Sequence, residues 1–175
     1  MPDDAFSALA DRRRRDLLAM LARGGPRSAT ALARDLPVTR QAVVKHLGAL
    51  ESWKAIRAWL DSLVQFQRAG GARGGCAIGS LVGQLAETDE PARQLLTDGF
   101  ARWEDPLRRG LVSMQERGKL DRSADPDRLA TATLAAIQGG LVLTQSRRDP
   151  DQLAIAVDAA YAHLRSHAAI AGGKR

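Results

Sequence analysis

The chain has a single cysteine, Cys76, so an internal disulfide and a metal site built on a cysteine pair are both excluded. Aromatic residues make up only 4% of it, and a core must be assembled from alanine, leucine, valine and isoleucine. Runs of β-branched residues are missing while alanine and leucine abound, which points away from sheets and towards an all-helical fold. Long apolar runs are missing too. The longest weakly polar stretch, Ala132 to Leu143, is interrupted by Gln138 and is too short to span a bilayer, so no membrane association is expected. The N-terminus, M-P-D-D, is acidic and has no apolar run; no signal peptide is expected, and the expected location is the cytoplasm.

Apolar residues are 45% of the 175, enough for a real core in one domain or two small ones. The formal charge is +6 and the pI about 10.4, which favours an anionic partner without identifying one.

The stretch from Pro37 to Ser52, P-V-T-R-Q-A-V-V-K-H-L-G-A-L-E-S, reads as the turn and second helix of a helix-turn-helix. Pro37 disfavours continued helix before it, and Thr39 is a good N-cap for the helix after it. At about 100° per residue, Val43, Leu47 and Leu50 share one face, with Gln41, Val44, Lys45 and Gly48 roughly opposite. Such a helix packs by its apolar seam and offers polar side chains to base edges and phosphates. An ordinary amphipathic helix has the same pattern, but the neighbouring segments favour the first reading. Short helices are predicted over 3–10, 12–22 and 28–36; Gly24-Gly25-Pro26 ends the second and Ser28 caps the third. Together these make a helix-turn-helix domain of about fifty residues.

Residues 5–51, from F-S-A-L-A-D-R-R-R-R-D-L-L-A-M-L through G-G-P-R-S-A-T-A-L-A-R-D-L-P-V-T-R-Q-A-V-V-K-H-L-G-A-L-E, resemble the ArsR-type winged helix-turn-helix of dimeric bacterial transcriptional regulators. The resemblance implies that Arg40, Gln41, Val44, Lys45 and His46 face the major groove of a double-stranded DNA operator, with Thr39 at the helix start. Two features depart from the family. Arg12-Arg13 stands where Pro-Thr is usual, and the β-hairpin wing is missing. Nothing after Glu51 alternates or carries an Asn-Gly or Asp-Gly turn.

Beyond Glu51 the pattern remains helical. Trp53 to Gln67 carries a stripe of Ile56, Leu60, Leu63 and Val64. No glycine or proline separates Leu50 from Trp53, so the recognition helix either runs on or bends near Ser52. A glycine-rich loop, Ala69 to Gly75, precedes a short helix over Cys76 to Glu87. Pro91 starts a helix reaching about Gly118, in which Pro106 predicts a kink or a break. Asp125-Pro126 opens a helix to about Ser146, and Asp149-Pro150 opens the last, to about His167.

The motifs G-G-C-A-I-G-S-L-V-G-Q-L-A, E-P-A-R-Q-L-L, G-F-A-R-W-E-D-P-L and D-P-D-R-L-A-T-A-T-L-A-A-I-Q-G-G-L-V-L-T-Q-S-R-R-D-P are similar to the C-terminal domain of TetR-type regulators, in the subgroup typified by LmrA and YxaF, over residues 53–168. That resemblance implies an all-helical domain that binds a ligand and dimerises through its last two helices. The chain thus reads as a chimera of two regulator families. Residues 1–52 form the DNA-binding head, 53–170 the ligand-binding and dimerisation body, and 171–175 a disordered tail.

The implied effector is small and largely apolar, and the candidate pocket residues are Cys76, Phe100, Trp103, Met114, Gln138, Leu141 and Thr144. Apolar walls with a few orienting polar groups are what such a pocket needs, although each residue taken singly also reads as helical core. Cys76 is open to two readings, a packed thiol or a reactive one at a helix N-terminus. The run Arg12 to Arg15 reads either as a phosphate clamp or as a solvated face, partly neutralised by Asp11 and Asp16. The frame Gly74 to Ser80 lacks the lysine of a phosphate loop. His163 and His167 are spaced to hold zinc but have no third ligand in local reach, and no metal or cofactor is expected. Gly139-Gly140 costs a helix ~1 kcal/mol each relative to alanine, which close approach of another helix would explain, for example at a dimer seam. No catalytic set is present and no enzyme is expected. The expected function is a DNA-binding repressor released by its effector. The alternative is an effector-binding or interaction module whose wingless head binds operators poorly.

Overall fold

The computed structural model describes residues 50–73 and 75–169, all within one compact unit, Val43–Arg175. The predicted helices of the head and the tail at 171–175 lie outside the described residues. Five helices are described. α1 is Trp53–Ala69, α2 Ala77–Leu85, α3 Glu90–Glu116, α4 Pro126–Arg147 and α5 Asp151–Ser166. Among the described residues there is no strand, only an isolated antiparallel bridge between Leu120 and Ala168. No hairpin wing follows Glu51.

The helix starts are set by side-chain caps. Ser52 is extended (φ −151°, ψ 153°), and its Oγ accepts a hydrogen bond from the Ala55 N–H at 3.1 Å. That is an N-cap, so the chain breaks helix at Ser52 rather than running through it. Asp89 and Asp125 cap α3 and α4 in the same way, each followed closely by a proline at the tolerated first turn. Gly71, at φ +63°, supports the sharp turn that ends α1, where the Ala72 N–H donates to the Gln67 carbonyl at 2.9 Å.

The core is built at helical spacing. Ile56, Leu60 and Val64 of α1, Leu107, Leu111 and Met114 of α3, Ile137 and Leu141 of α4, and Leu153, Val157 and Leu164 of α5 form one apolar cluster with Leu50, Leu120 and Ala124. α4 packs on α5 and on α3, α1 on α5, and α2 on α3. Arg57 bridges Asp61 and Asp158, and the Tyr161 hydroxyl donates to the Trp53 carbonyl at 3.2 Å, tying α1 to α5.

α3 runs without a break through Pro106, where the sequence predicts a kink or a break. The carbonyl that loses its helical partner belongs to Arg102, an exposed residue, so water can satisfy it. The two mid-helix glycines of α4 also separate. A Cβ at Gly140 would lie 2.8 Å from the Ala156 Cβ and 3.1 Å from the Leu153 Cα, so α5 of the same chain, not a second subunit, demands this glycine. Gly139 faces open space.

Three aspartates are held below their ordinary value of 3.8, and Glu90 is likewise lowered by its bond from Arg93. Asp105 is lowered chiefly by its bond from Arg108, Asp121 by the Ser123 hydroxyl and N–H, and Asp149 by the Asp151 N–H and the Gln152 amide. A depressed folded-state pKa adds stability that is present above the unfolded value and lost as pH falls through the folded one. The thermal midpoint is therefore expected to drop below about pH 4, and Asp149→Asn to flatten that slope in melts followed by circular dichroism.

Candidate functional site

The residues predicted to contact DNA, Thr39, Arg40, Gln41, Val44, Lys45 and His46, lie outside the described residues, as does the run Arg12 to Arg15. The joint is described from Leu50 onward. Leu50 is 1% exposed and sits in the core of the body. It lies against Gly110 of α3, where an added Cβ would overlap the Leu50 carbonyl oxygen and come within 2.8 Å of its carbon. Next along the chain, Glu51 is held by Arg117. One guanidinium nitrogen donates to the carboxylate at 2.6 Å and another to the Glu51 carbonyl at 2.7 Å. Ser52 then caps α1. Three consecutive residues thus anchor the connection.

The candidate pocket residues are carried by three helices: Cys76 at the start of α2, Phe100, Trp103 and Met114 on α3, and Gln138, Leu141 and Thr144 on α4. Cys76 is the N-cap of α2; its Sγ accepts from the Gly79 N–H at 3.4 Å, and the residue is half-buried against the core. Gly79 in turn faces Gln138 of α4, and a Cβ built there would come within 3.0 Å of the Gln138 Oε1. Both polar atoms of the Gln138 amide are buried and have no hydrogen-bond partner. On α3, Gly99 lies against Ile78 of α2, Phe100 beside it is half-buried, and Trp103 packs on the core cluster.

The structure therefore brings Cys76 and Gln138 together and places Trp103, Met114 and Leu141 in or against one apolar cluster. Thr144 is fully buried, and its hydroxyl accepts the Leu153 N–H at 3.1 Å, supporting the start of α5. This wall is shallow. No residue of α3 before Leu107 is buried, and on α2 only Leu81 is, among the residues described.

Two residues of interest escaped sequence reasoning. Gln67 is 3% exposed with an unpartnered Oε1, and Trp59 is 4% exposed with an unpartnered Nε1. For Gln67 the signal was present: it continues the Leu60, Val64 stripe at helical spacing with a polar residue. Gly79, whose missing side chain lets Gln138 approach, carried no signal.

α4 exposes large apolar side chains on its outer face, and α5 exposes Ile155 among charged neighbours. Val142 is 60% exposed, Leu143 43% and Ile155 65%. Ala132, Ala135 and Gly139 of α4 and Ala159 and Ala162 of α5 are exposed as well. Between Arg128 and Arg147, α4 has no charged residue, although much of it is exposed. A surface helix with no charge on its solvent side is suited to cover by a partner.

Comparison with known proteins gives two family matches. A helix-turn-helix domain model matches residues 9–56, and the model for the tetracyclin repressor-like C-terminal domain matches residues 52–160, well over half of the chain. The matches overlap at 52–56, the Ser52 cap and first turn of α1. Among curated relatives, the HTH-type transcriptional regulator Rv2034 of Mycobacterium tuberculosis is 47% identical over 55 residues, 31% of this chain and 50% of that protein. The HTH-type transcriptional repressor DhaR of Mycobacterium sp. (strain GP1) is 29% identical over 79 residues, 45% of this chain and 40% of that protein. The chain spans half or less of the length of these relatives. No solved structure matches significantly. Among the described residues no helix is long and apolar enough to cross a membrane. The chain belongs to the tetracyclin repressor-like C-terminal domain family and joins that body directly to a helix-turn-helix domain, the architecture of a transcriptional regulator.

Proposed function

We propose that the chain is a DNA-binding transcriptional repressor that acts as a homodimer and leaves its operator when a small, largely apolar effector enters the C-terminal helical domain. The observation that carries this reading is the join itself: a helix-turn-helix domain passes into a helical body through three anchored residues, Leu50, Glu51 and Ser52. The uncharged outer face of α4, with Ile155 of α5, is the surface offered to the second copy. The name of the matched repressor supports the sign of regulation.

Operator binding by such a dimer requires two copies of the Thr39 to His46 segment in successive major grooves about 34 Å apart. An effector that prefers one spacing of the two heads shifts the population towards it and changes operator affinity. Gel shift against the DNA upstream of the chain's own gene tests the head. Lys45→Ala is expected to weaken binding about tenfold and to make the salt dependence shallower by about one charge. Unchanged binding by this variant would show that the Lys45 face does not read DNA.

One observation favours a second reading. Leu50 and Glu51 lead straight into the Ser52 cap, so no hairpin wing follows the recognition segment, and the phosphate contacts of a wing are lost. In that reading the chain is an effector-binding or interaction module with impaired operator binding. A dimer that binds a ligand but shows no affinity for its upstream DNA above background would be its signature.

A further inference from the structure

The Gln138 amide is the polar group in the body that packing leaves least explained. It stands in the middle of α4, within an uncharged run, and both Oε1 and Nε2 are buried with no hydrogen-bond partner. Leaving a buried amide unsatisfied forfeits the water bonds of each polar end, so such groups are ordinarily paired. The surroundings offer no partner. Gly79 presents no side chain to it, and the Sγ of Cys76 already accepts the Gly79 N–H. Ile78 and Gly99 add an apolar contact on the same α2–α3 wall. No residue of this group is charged. A primary amide has an acceptor and a donor side by side and in one plane. Its complement is a neutral group with a donor beside an acceptor. A carboxylate would answer only the Nε2 end and would be desolvated without a counter-charge.

We propose that Gln138 is the specificity-determining residue of the effector site, and that the effector is a neutral, mainly apolar molecule bearing an amide-like donor–acceptor pair, such as a carboxamide or lactam, which bonds the Gln138 side chain. The proposal rests on the effector-site reading under Proposed function. Cys76 and Gly79 set the wall against which the amide is held, and Phe100 and Trp103 on α3 supply the apolar side. An effector of this kind would satisfy both ends of Gln138 on binding, so the amide would contribute to selection between ligands of the same shape rather than to folding.

The test uses the full chain and a pair of probes of nearly equal shape, 2-naphthamide, whose primary amide has its donor beside its acceptor, and 2-isopropenylnaphthalene, which has neither. Binding is followed by calorimetry and by tryptophan fluorescence. The wild-type chain is expected to bind 2-naphthamide about tenfold tighter than 2-isopropenylnaphthalene, the discrimination of one or two buried hydrogen bonds. Gln138→Met, similar in size and without an amide, is expected to lose that preference while its thermal midpoint stays level or rises, because a buried unsatisfied group has been removed. If both probes bind the wild type equally, the effector site stands and the amide proposal falls. If neither binds, the effector-site reading and the proposal fall together. A Gln138→Met protein that keeps the preference would overturn the role of Gln138, and one that melts much lower would show the amide to be structural. Should that variant not fold, the wild-type preference between the two probes decides the matter.

Discussion

Gly110→Ala is expected to lower the unfolding free energy of the body by about 2–3 kcal/mol, the range for forcing an extra methyl into a packed core. The new methyl would strike the Leu50 backbone, carbonyl oxygen first, and a backbone cannot rotate aside as a side chain can. Leu50 has nowhere to retreat. It is 1% exposed, its side chain is packed in the apolar cluster, and the following residue is clamped by Arg117. Gly83 provides the control. It is exposed on α2 with nothing within 4 Å of an added Cβ, so Gly83→Ala should stabilise by about 0.5–1 kcal/mol through helix propensity alone. Removing the clamp should matter less. The Arg117 and Glu51 side chains are 43% and 47% exposed, and Glu51→Ala is expected to cost under about 1 kcal/mol. Urea unfolding of the three variants separates these effects. A neutral Gly110→Ala would mean that Leu50 does not sit where the structure puts it. Because Leu50 directly precedes the Glu51–Ser52 joint, the same variant is also expected to weaken operator binding, out of proportion to its remaining folded fraction.

Paired charges on the outer faces of α4 and α5, Val142→Glu with Ile155→Glu, are expected to convert the proposed dimer into a monomer. In the monomer these side chains are 60% and 65% exposed, so the replacements should change its stability by no more than about 0.5 kcal/mol. In a two-fold dimer each substitution is present twice, and the charges would be buried without counter-ions. Dissociation constants at least about a hundredfold weaker are expected, which sedimentation equilibrium at micromolar concentration resolves. Operator binding should be lost with the dimer. Lys45→Ala would instead reduce DNA affinity and leave the assembly intact. A double variant that remains dimeric would remove this face from the interface.

Much of the helical layout is legible in the residues. The stripe of Ile56, Leu60 and Val64 defines α1. Pro91 and Asp125-Pro126 mark the starts of α3 and α4 to within a residue, because a proline in the first turn acts locally. The all-helical class followed from the same local preferences. Pro106 shows where local rules mislead: it carries the breaking signal, yet α3 continues, since the exposed Arg102 carbonyl can turn to water and the packing of Leu107, Leu111 and Met114 holds the axis.

By itself, the sequence determined the composition of the core, the spans of the five helices, the missing wing and the likeness to two regulator families, all of which depend on residue type and spacing along one strand of chain. Tertiary structure alone decided the rest. Leu50 belongs to the body because Gly110, sixty positions away, leaves room for its backbone. The break at Ser52 was hidden for a related reason: a serine caps a helix only when its own backbone is held extended, and here the residues before it are anchored in the core and on Arg117. Thr144 and Gln138 both read as polar residues on α4. Packing gave the first the Leu153 N–H and left the second with no partner, a difference that no local pattern encodes because the groups concerned meet only when α2, α4 and α5 come together.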